Sequence, residues 1–153
     1  MLELKIINSE KDLNEALAIR AKVFIEEQKV PPELEWDDKD KIATHFILYL
    51  DQKPIGTARV FLEDNNWYIG RMAVLKEYRG KGYGKFIMQA IMKFLSAKKP
   101  NKIIINAQIA VLGFYRKFGF VEVGEEFWDA GIKHKAMVYP FWPYPAGSKT
   151  RIR

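Results

Sequence analysis

The segment Arg79-Gly80-Lys81-Gly82-Tyr83-Gly84 is the feature that most restricts how this chain can fold. Glycine tolerates positive φ and lets the backbone approach a ligand closely, so glycines at alternate positions predict a tight turn. Before the turn, Trp67 to Leu75 is apolar and β-prone, and reads as a strand. After it, Tyr83, Phe86, Ile87, Ala90, Ile91, Phe94 and Leu95 recur at helical spacing and mark one face of an amphipathic helix. A helix that starts from such a turn presents free N–H groups at the positive end of its dipole, which favours an anion. Lys76, Arg79, Lys81 and Lys85 add positive charge at the same place. The expectation is a phosphate or pyrophosphate site. A Walker loop is disfavoured, because Gly84-Lys85 is followed by Phe86 where Ser or Thr would meet Mg²⁺.

Turn chemistry at Asp51-Gln52-Lys53-Pro54 and Glu63-Asp64-Asn65-Asn66 separates the strand-like runs His45 to Leu50, Ile55 to Leu62 and Trp67 to Leu75. Short turns between consecutive strands predict an antiparallel meander, which is not the parallel unit of a Rossmann fold. Residues 3 to 7 read as a first strand. Residues 10 to 28 read as an amphipathic helix with Ser9 as N-cap and Leu13, Leu17, Ala21 and Phe24 on its apolar face, ended by Pro31-Pro32. Lys102 to Gln108 reads as a buried strand and residues 110 to 118 as a short helix closed by Gly119. Phe120 to Val123 and Lys135 to Tyr139 read as the final strands. The order β-α-β-β-β-α-β-α-β-β predicts an α+β fold built on a mixed sheet.

Composition narrows the function. The 153 residues fit one domain, 1–153, with an irregular basic C-terminal tail from about 141. With no cysteine and only His45 and His134, disulfides, thiolate metal sites, a cysteine nucleophile and a three-histidine site are excluded, and no metal is expected. The N-terminus lacks a signal-peptide pattern, and no apolar run approaches the roughly 18 residues of a membrane span, so a cytoplasmic protein with no membrane partner is expected. The net charge of +6 is uneven: the tail is basic, whereas Glu26 to Asp40 is strongly acidic. No continuous basic stripe suits a nucleic acid, so no such partner is expected.

The glycine segment resembles the Arg/Gln-x-x-Gly-x-Gly/Ala motif of the GNAT acetyltransferases. Ile69-Gly70-Arg71-Met72-Ala73-Val74 is similar to the family's preceding strand, and Phe114-Tyr115-Arg116-Lys117-Phe118-Gly119-Phe120 to its second motif. The order is the family's, over nearly the whole chain. Val23-Phe24-Ile25-Glu26-Glu27-Gln28, Asp37, His45, Asn106-Ala107-Gln108 and Asp129-Ala130-Gly131-Ile132-Lys133-His134 resemble the ElaA-like branch. The resemblance implies α/β/α layers and a mostly antiparallel sheet splayed between its fourth and fifth strands. It implies acetyl-CoA as co-substrate, with its pyrophosphate held by Arg79, Gly80, Lys81, Gly82, Tyr83 and Gly84. Met72, Ala73 and Val74 would pair with the pantetheine arm. Gln108, where many members have Asn, or the nearby Asn106, would contact the same arm. The implied reaction is direct transfer of an acetyl group, in a ternary complex, to a primary amine of a small molecule or peptide. The acidic stretch points to a cationic amine.

Tyr115 matches the family's tyrosine that protonates the departing thiolate. From the residues alone, a core aromatic beside Phe114 and Phe118 is the simpler reading. Several members carry a glutamate on the strand before the glycine turn, but here that strand reads Ile69-Gly70-Arg71. The general base is therefore open among Glu27, Asp37, His45 and His134. The same departure sustains an alternative, a non-catalytic acetyl-CoA-binding regulatory module. Trp128, Phe141, Trp142 and Tyr144 are candidates to line a substrate cleft, to cover a sheet edge or to form a homodimer interface.

Overall fold

The structure, a computed structural model, describes residues 1–140; the tail expected from about 141, with Phe141, Trp142 and Tyr144, lies outside the described residues. Among the described residues there are seven strands: β1 (Leu2–Ile6), β2 (Thr44–Leu50), β3 (Lys53–Glu63), β4 (Asn66–Val74), β5 (Lys102–Gln108), β6 (Val121–Asp129) and β7 (Ile132–Pro140). The helices are α1 (Glu10–Arg20), which continues into a π-helical segment (Ala21–Glu27), then α2 (Pro32–Glu35), α3 (Lys39–Ile42), α4 (Tyr83–Ser96) and α5 (Leu112–Arg116). The strands form one sheet in the order β1-β2-β3-β4-β5-β7-β6. Every neighbouring pair is antiparallel except β4 and β5.

Side-chain alternation along β2 shows why helices cover both faces. Phe46 and Leu48 join the cluster that packs on Ile87, Met88, Ile91 and Leu95 of α4. Ile47 and Tyr49 join the cluster that packs on Ala16 and Ile19 of α1 and Val23 and Phe24 of the π segment. Successive strand residues point to opposite faces, so α1 and α4 lie on opposite sides of the sheet. The layers are those expected from the sequence.

Two elements differ from the sequence reading in a way that shapes the cleft. The helix from Glu10 does not stay α-helical to residue 28: the Gln28 N–H donates to the Val23 carbonyl at 3.1 Å, a wider turn. Its buried positions are Asp12, Ala16, Ile19, Arg20, Val23 and Phe24, while Leu13, Leu17 and Ala21 are only half-buried. An arginine on the core-facing side, with its charge matched by distant carboxylates, rotates the face that apolar spacing alone suggests. The last hairpin is also longer than expected. Gly124 (φ 74°) lies where the register between β6 and β7 shifts, between Val123 and Phe127. It marks a bulge rather than a strand end. The hairpin closes through Ala130 and Gly131, both at positive φ, and Ala130 and Ile132 pack on the α1-side core.

β4 and β5 pair only at Trp67–Ile69 against Ile103–Ile105. Beyond that they part, β4 running on to Val74 and β5 to Gln108. A second register shift, between Thr57 and Arg59 of β3, leaves an extra residue in β4 and holds Arg71 at φ 51°. A non-glycine residue at positive φ carries about 1–3 kcal/mol of strain, and bulges re-aim side chains.

Candidate active site

The parting of β4 from β5 opens a cleft of about 880 Å³. One lip is Met72, Ala73 and Val74, and the other Asn106 and Gln108, with Gly80, Gly82, Tyr83, Gly84 and Lys85 at the glycine turn. Gly80 and Gly82 stand at φ 75° and 86°, and nothing lies within 4 Å of a Cβ placed on either. Their glycine identity is therefore conformational, and it leaves the turn open to a ligand. Gly82 caps α4, and its carbonyl accepts from the Phe86 N–H at 3.0 Å. The N–H groups of the first turn have no intrahelical partner. An open turn, a helix start, Lys85 and two unpaired strand edges fit a pyrophosphate followed by an extended polar arm.

Arg79 also lines the cleft, and its side chain braces the turn. Its Nε donates to the Val74 carbonyl at 2.8 Å, and its guanidinium grips Glu27 through both Nη atoms, Nη2 at 2.7 Å. It thereby ties the turn to the ends of β4 and the π segment. The Arg79 hydrogen bonds hold the Glu27 carboxyl below the usual carboxylate range, and Glu27 does not line the cleft. Lys81 is exposed and also lies off the lining. Across the mouth, the Gln108 side-chain amide donates to the Gln28 side-chain oxygen at 2.9 Å.

Tyr115 on α5 lines the cleft, is 8% exposed, and packs edge-on to Phe114 and Phe120. Burial pushes its phenol up to about 12, so the group is a neutral O–H at ordinary pH. Its hydroxyl makes no hydrogen bond to any described residue. Tyr115 is thus both a core aromatic and part of the cleft lining.

The four candidate bases separate. His45 is buried on β2, its Nε2 3.0 Å from the Asp40 carbonyl, off the cleft. Asp37 lines the cleft but accepts from Arg59 Nη1 at 2.6 Å and Nη2 at 2.9 Å, and from Arg71 at 3.2 Å. Burial would raise its carboxyl, but these arginines outweigh it and hold the group below the carboxylate range. His134 lines the cleft on β7, paired in register with Gln108 and stacked on Phe127. Its Nδ1 lies 2.7 Å from the Ile132 carbonyl, an acceptor, so in the neutral imidazole Nδ1 carries the hydrogen and Nε2 the lone pair.

Sequence reasoning missed the polar wall at the other end of the cleft. Arg20, Glu35, Arg71, Asp37, Arg59 and Asp40 form a closed ring of alternating charge. Arg20 Nε meets Glu35 at 2.7 Å and Arg59 Nη1 meets Asp40 at 2.7 Å. Glu35, Asp37, Arg59 and Arg71 face the cleft, beside the cross-strand stack of Phe61 on Tyr68 at 5.2 Å. The signal was available in part: an acidic run, an arginine at position 20 in an apolar helix face, and Arg71 where the strand lacked a carboxylate.

The model of the acetyltransferase (GNAT) domain matches residues 10–141. YjcF, an uncharacterized N-acetyltransferase of Bacillus subtilis, is 37% identical over 134 residues, covering 87% of this chain and 96% of its own. The crystal structure of Escherichia coli ElaA superposes with a TM-score of 0.82 at 26% identity, over 90% of this chain and 99% of that one. A GNAT acetyltransferase from Elizabethkingia anophelis with acetyl-CoA bound has the same fold, with a TM-score of 0.68 at 13% identity over 92% of this chain and 98% of that one. With this match over most of its length, and the splayed sheet and glycine turn in place, the chain belongs to the GNAT acetyltransferase family, in its ElaA-like branch, and is an acyl-CoA N-acyltransferase.

Proposed function

We propose that the chain transfers an acetyl group from acetyl-CoA directly to a primary amine, with both substrates held in the cleft together. The observation that carries this reading is that Tyr115, His134 and the glycine turn line one cleft. Bound acetyl-CoA supplies an activated acetyl thioester. The backbone of Gly80, Gly82, Tyr83 and Gly84 holds the pyrophosphate, with Lys85 beside it. The free edge of Met72, Ala73 and Val74 aligns the pantetheine arm, with Gln108 and Asn106 opposite. Tyr115 gives its proton to the departing sulfur. His134 Nε2 takes a proton from the amine through water, while Glu27, Asp37 and His45 are held by other partners. Positioned acid–base groups of this kind contribute about 10²–10⁴-fold each.

The test is thiol release from acetyl-CoA against a panel of amines, on the wild type and on His134→Gln. Release should depend on the amine. His134→Gln should lower that release by about 10²-fold. Coenzyme A that binds tightly with no amine-dependent release would leave a binding module in place of the enzyme.

A further inference from the structure

The ring of charges at the acceptor end is balanced. Glu35 and Asp37 are each gripped by two guanidiniums, and Glu63 by Lys39. The acidic stretch therefore presents no surplus negative charge to a cationic acceptor at this wall. What remains over is donor capacity. Arg59 is 4% exposed and lines the cleft, and its Nε is buried with no hydrogen-bond partner. Arg71 also lines the cleft; its Nε and Nη2 are engaged by Leu34, Glu35 and Asp37, while its Nη1 donates to no described residue. A guanidinium offers five donors in a planar fork that suits a carboxylate. The bulge at Arg71 places this fork one strand residue from Met72, where the pantetheine edge begins.

Two neighbouring features fit the same ligand. Phe61 and Tyr68 present an apolar aromatic wall beside the guanidiniums, with the Arg59 guanidinium 5.5 Å from the Phe61 ring centre. Asp129, at the hairpin turn, lines the cleft, and its carboxylate makes no hydrogen bond or ion pair with a described residue. The cleft thus offers donors on the β4 side and a lone carboxylate at the turn between β6 and β7.

We propose that the acceptor is an amine that also carries a carboxylate, of the α-amino-acid class with an apolar side chain, and that Arg71 with Arg59 receives that carboxylate. The inference rests on the acetyl-transfer reading, and names the substrate class of the same site. The unused donors then have their partner, and the amine is delivered beside the end of β4. If instead the arginines serve only the ring, the cleft has no preference for a carboxylate.

Matched probes separate these cases. N-Acetylphenylalanine and N-acetylphenylalaninamide differ only in the carboxylate, and each is titrated calorimetrically into the protein with and without saturating coenzyme A. The acid should bind roughly tenfold to a hundredfold tighter, the range for hydrogen bonds to a charged group. Arg71→Gln should remove that preference, leave the amide's affinity little changed, and bind coenzyme A as the wild type does. Equal affinities for acid and amide in the wild type would overturn the proposal. That comparison needs no variant, and it stands if Arg71→Gln fails to fold. Failure of coenzyme A to bind would sink acetyl transfer instead, and the acid–amide comparison is still read in the ligand-free protein. As a second arm, phenylalanine should release thiol from acetyl-CoA at a lower KM than phenylalaninamide or phenethylamine. A preference for either of those amines would overturn the assignment while leaving the transferase in place.

Discussion

At the scale of single residues, Tyr115 carries the sharpest expectation. Its ring packs against Phe114 and Phe120, but its hydroxyl bonds to no described residue. Removing the hydroxyl therefore removes a proton donor and little stability. Tyr115→Phe should lower turnover by about 10²-fold, the size of a lost general acid, with coenzyme A affinity and melting temperature near the wild-type values. Burial holds the phenol up to about 12, so Tyr115 remains a donor over the whole working range. The deficit should shrink as pH rises, because the thiolate then leaves more easily without a proton. Stopped-flow thiol release at two pH values reads this, and full activity in the variant would return Tyr115 to a packing role. The residue was legible from its motif; its free hydroxyl was not, because that depends on what α5 faces after folding. His134 was similar: each histidine has one ring nitrogen against a backbone carbonyl, and only the folded position, His134 on the cleft and His45 off it, tells them apart.

At the scale of elements, the glycine turn and α4 act as a unit. Gly82 combines φ 86° with open space around its missing Cβ, so a methyl group there clashes with nothing and costs only the left-handed conformation. Gly82→Ala should destabilise by about 1 kcal/mol, a fall of roughly 3 °C in melting temperature for a chain of this size. Gly82→Asp has the same backbone cost and adds a negative charge where the pyrophosphate is to sit. Its coenzyme A affinity should fall well below that of Gly82→Ala, and the gap should narrow as salt rises. Isothermal titration at two salt concentrations decides it, and equal affinities would place the anion elsewhere. Elements like this one were readable because their signals are local: turn residues, a helical stripe, an alternating strand. The bulge at Gly124 was misread for the same reason, since glycine followed by charge looks like an ending until the partner strand shows that pairing resumes at Phe127. The π-helical turn had no local signal in the sequence; it is seen only in the bond from the Gln28 N–H to the Val23 carbonyl.

Across the whole molecule, the charge ring does what no element does alone. It joins α1, α2, α3, β3 and β4, and its partners are as far apart in sequence as the 36 residues between Glu35 and Arg71. That separation is why an acidic stretch that in the sequence points only to a cationic amine could not be read as part of a wall. Its acid response can be worked out by sign. Burial would raise the Asp40 carboxyl, but the bonds from Arg20 and Arg59 more than offset it and lower the group from 3.8 to about 2. A carboxyl lowered by folding contributes stability above its unfolded value, and that contribution is lost as pH falls through the folded value. For Asp40 the contribution is about 2 kcal/mol, present above pH 4 or so and lost between there and pH 2. Asp37 is shifted the same way. Glu35 is shifted oppositely: burial, opposed by Arg71 and Arg20, raises it, so its protonation favours the folded state in acid and softens the loss. Asp40→Asn should therefore melt well below the wild type at pH 7. The difference should close as pH falls from 4 toward 2, where the wild-type carboxyl takes up its own proton and loses the same attraction. Melting curves at pH 7, 4 and 2 measure this directly. A difference that stays constant to pH 2 would mean that Asp40 acts as a hydrogen-bonding shape, and that its charge does not hold the ring.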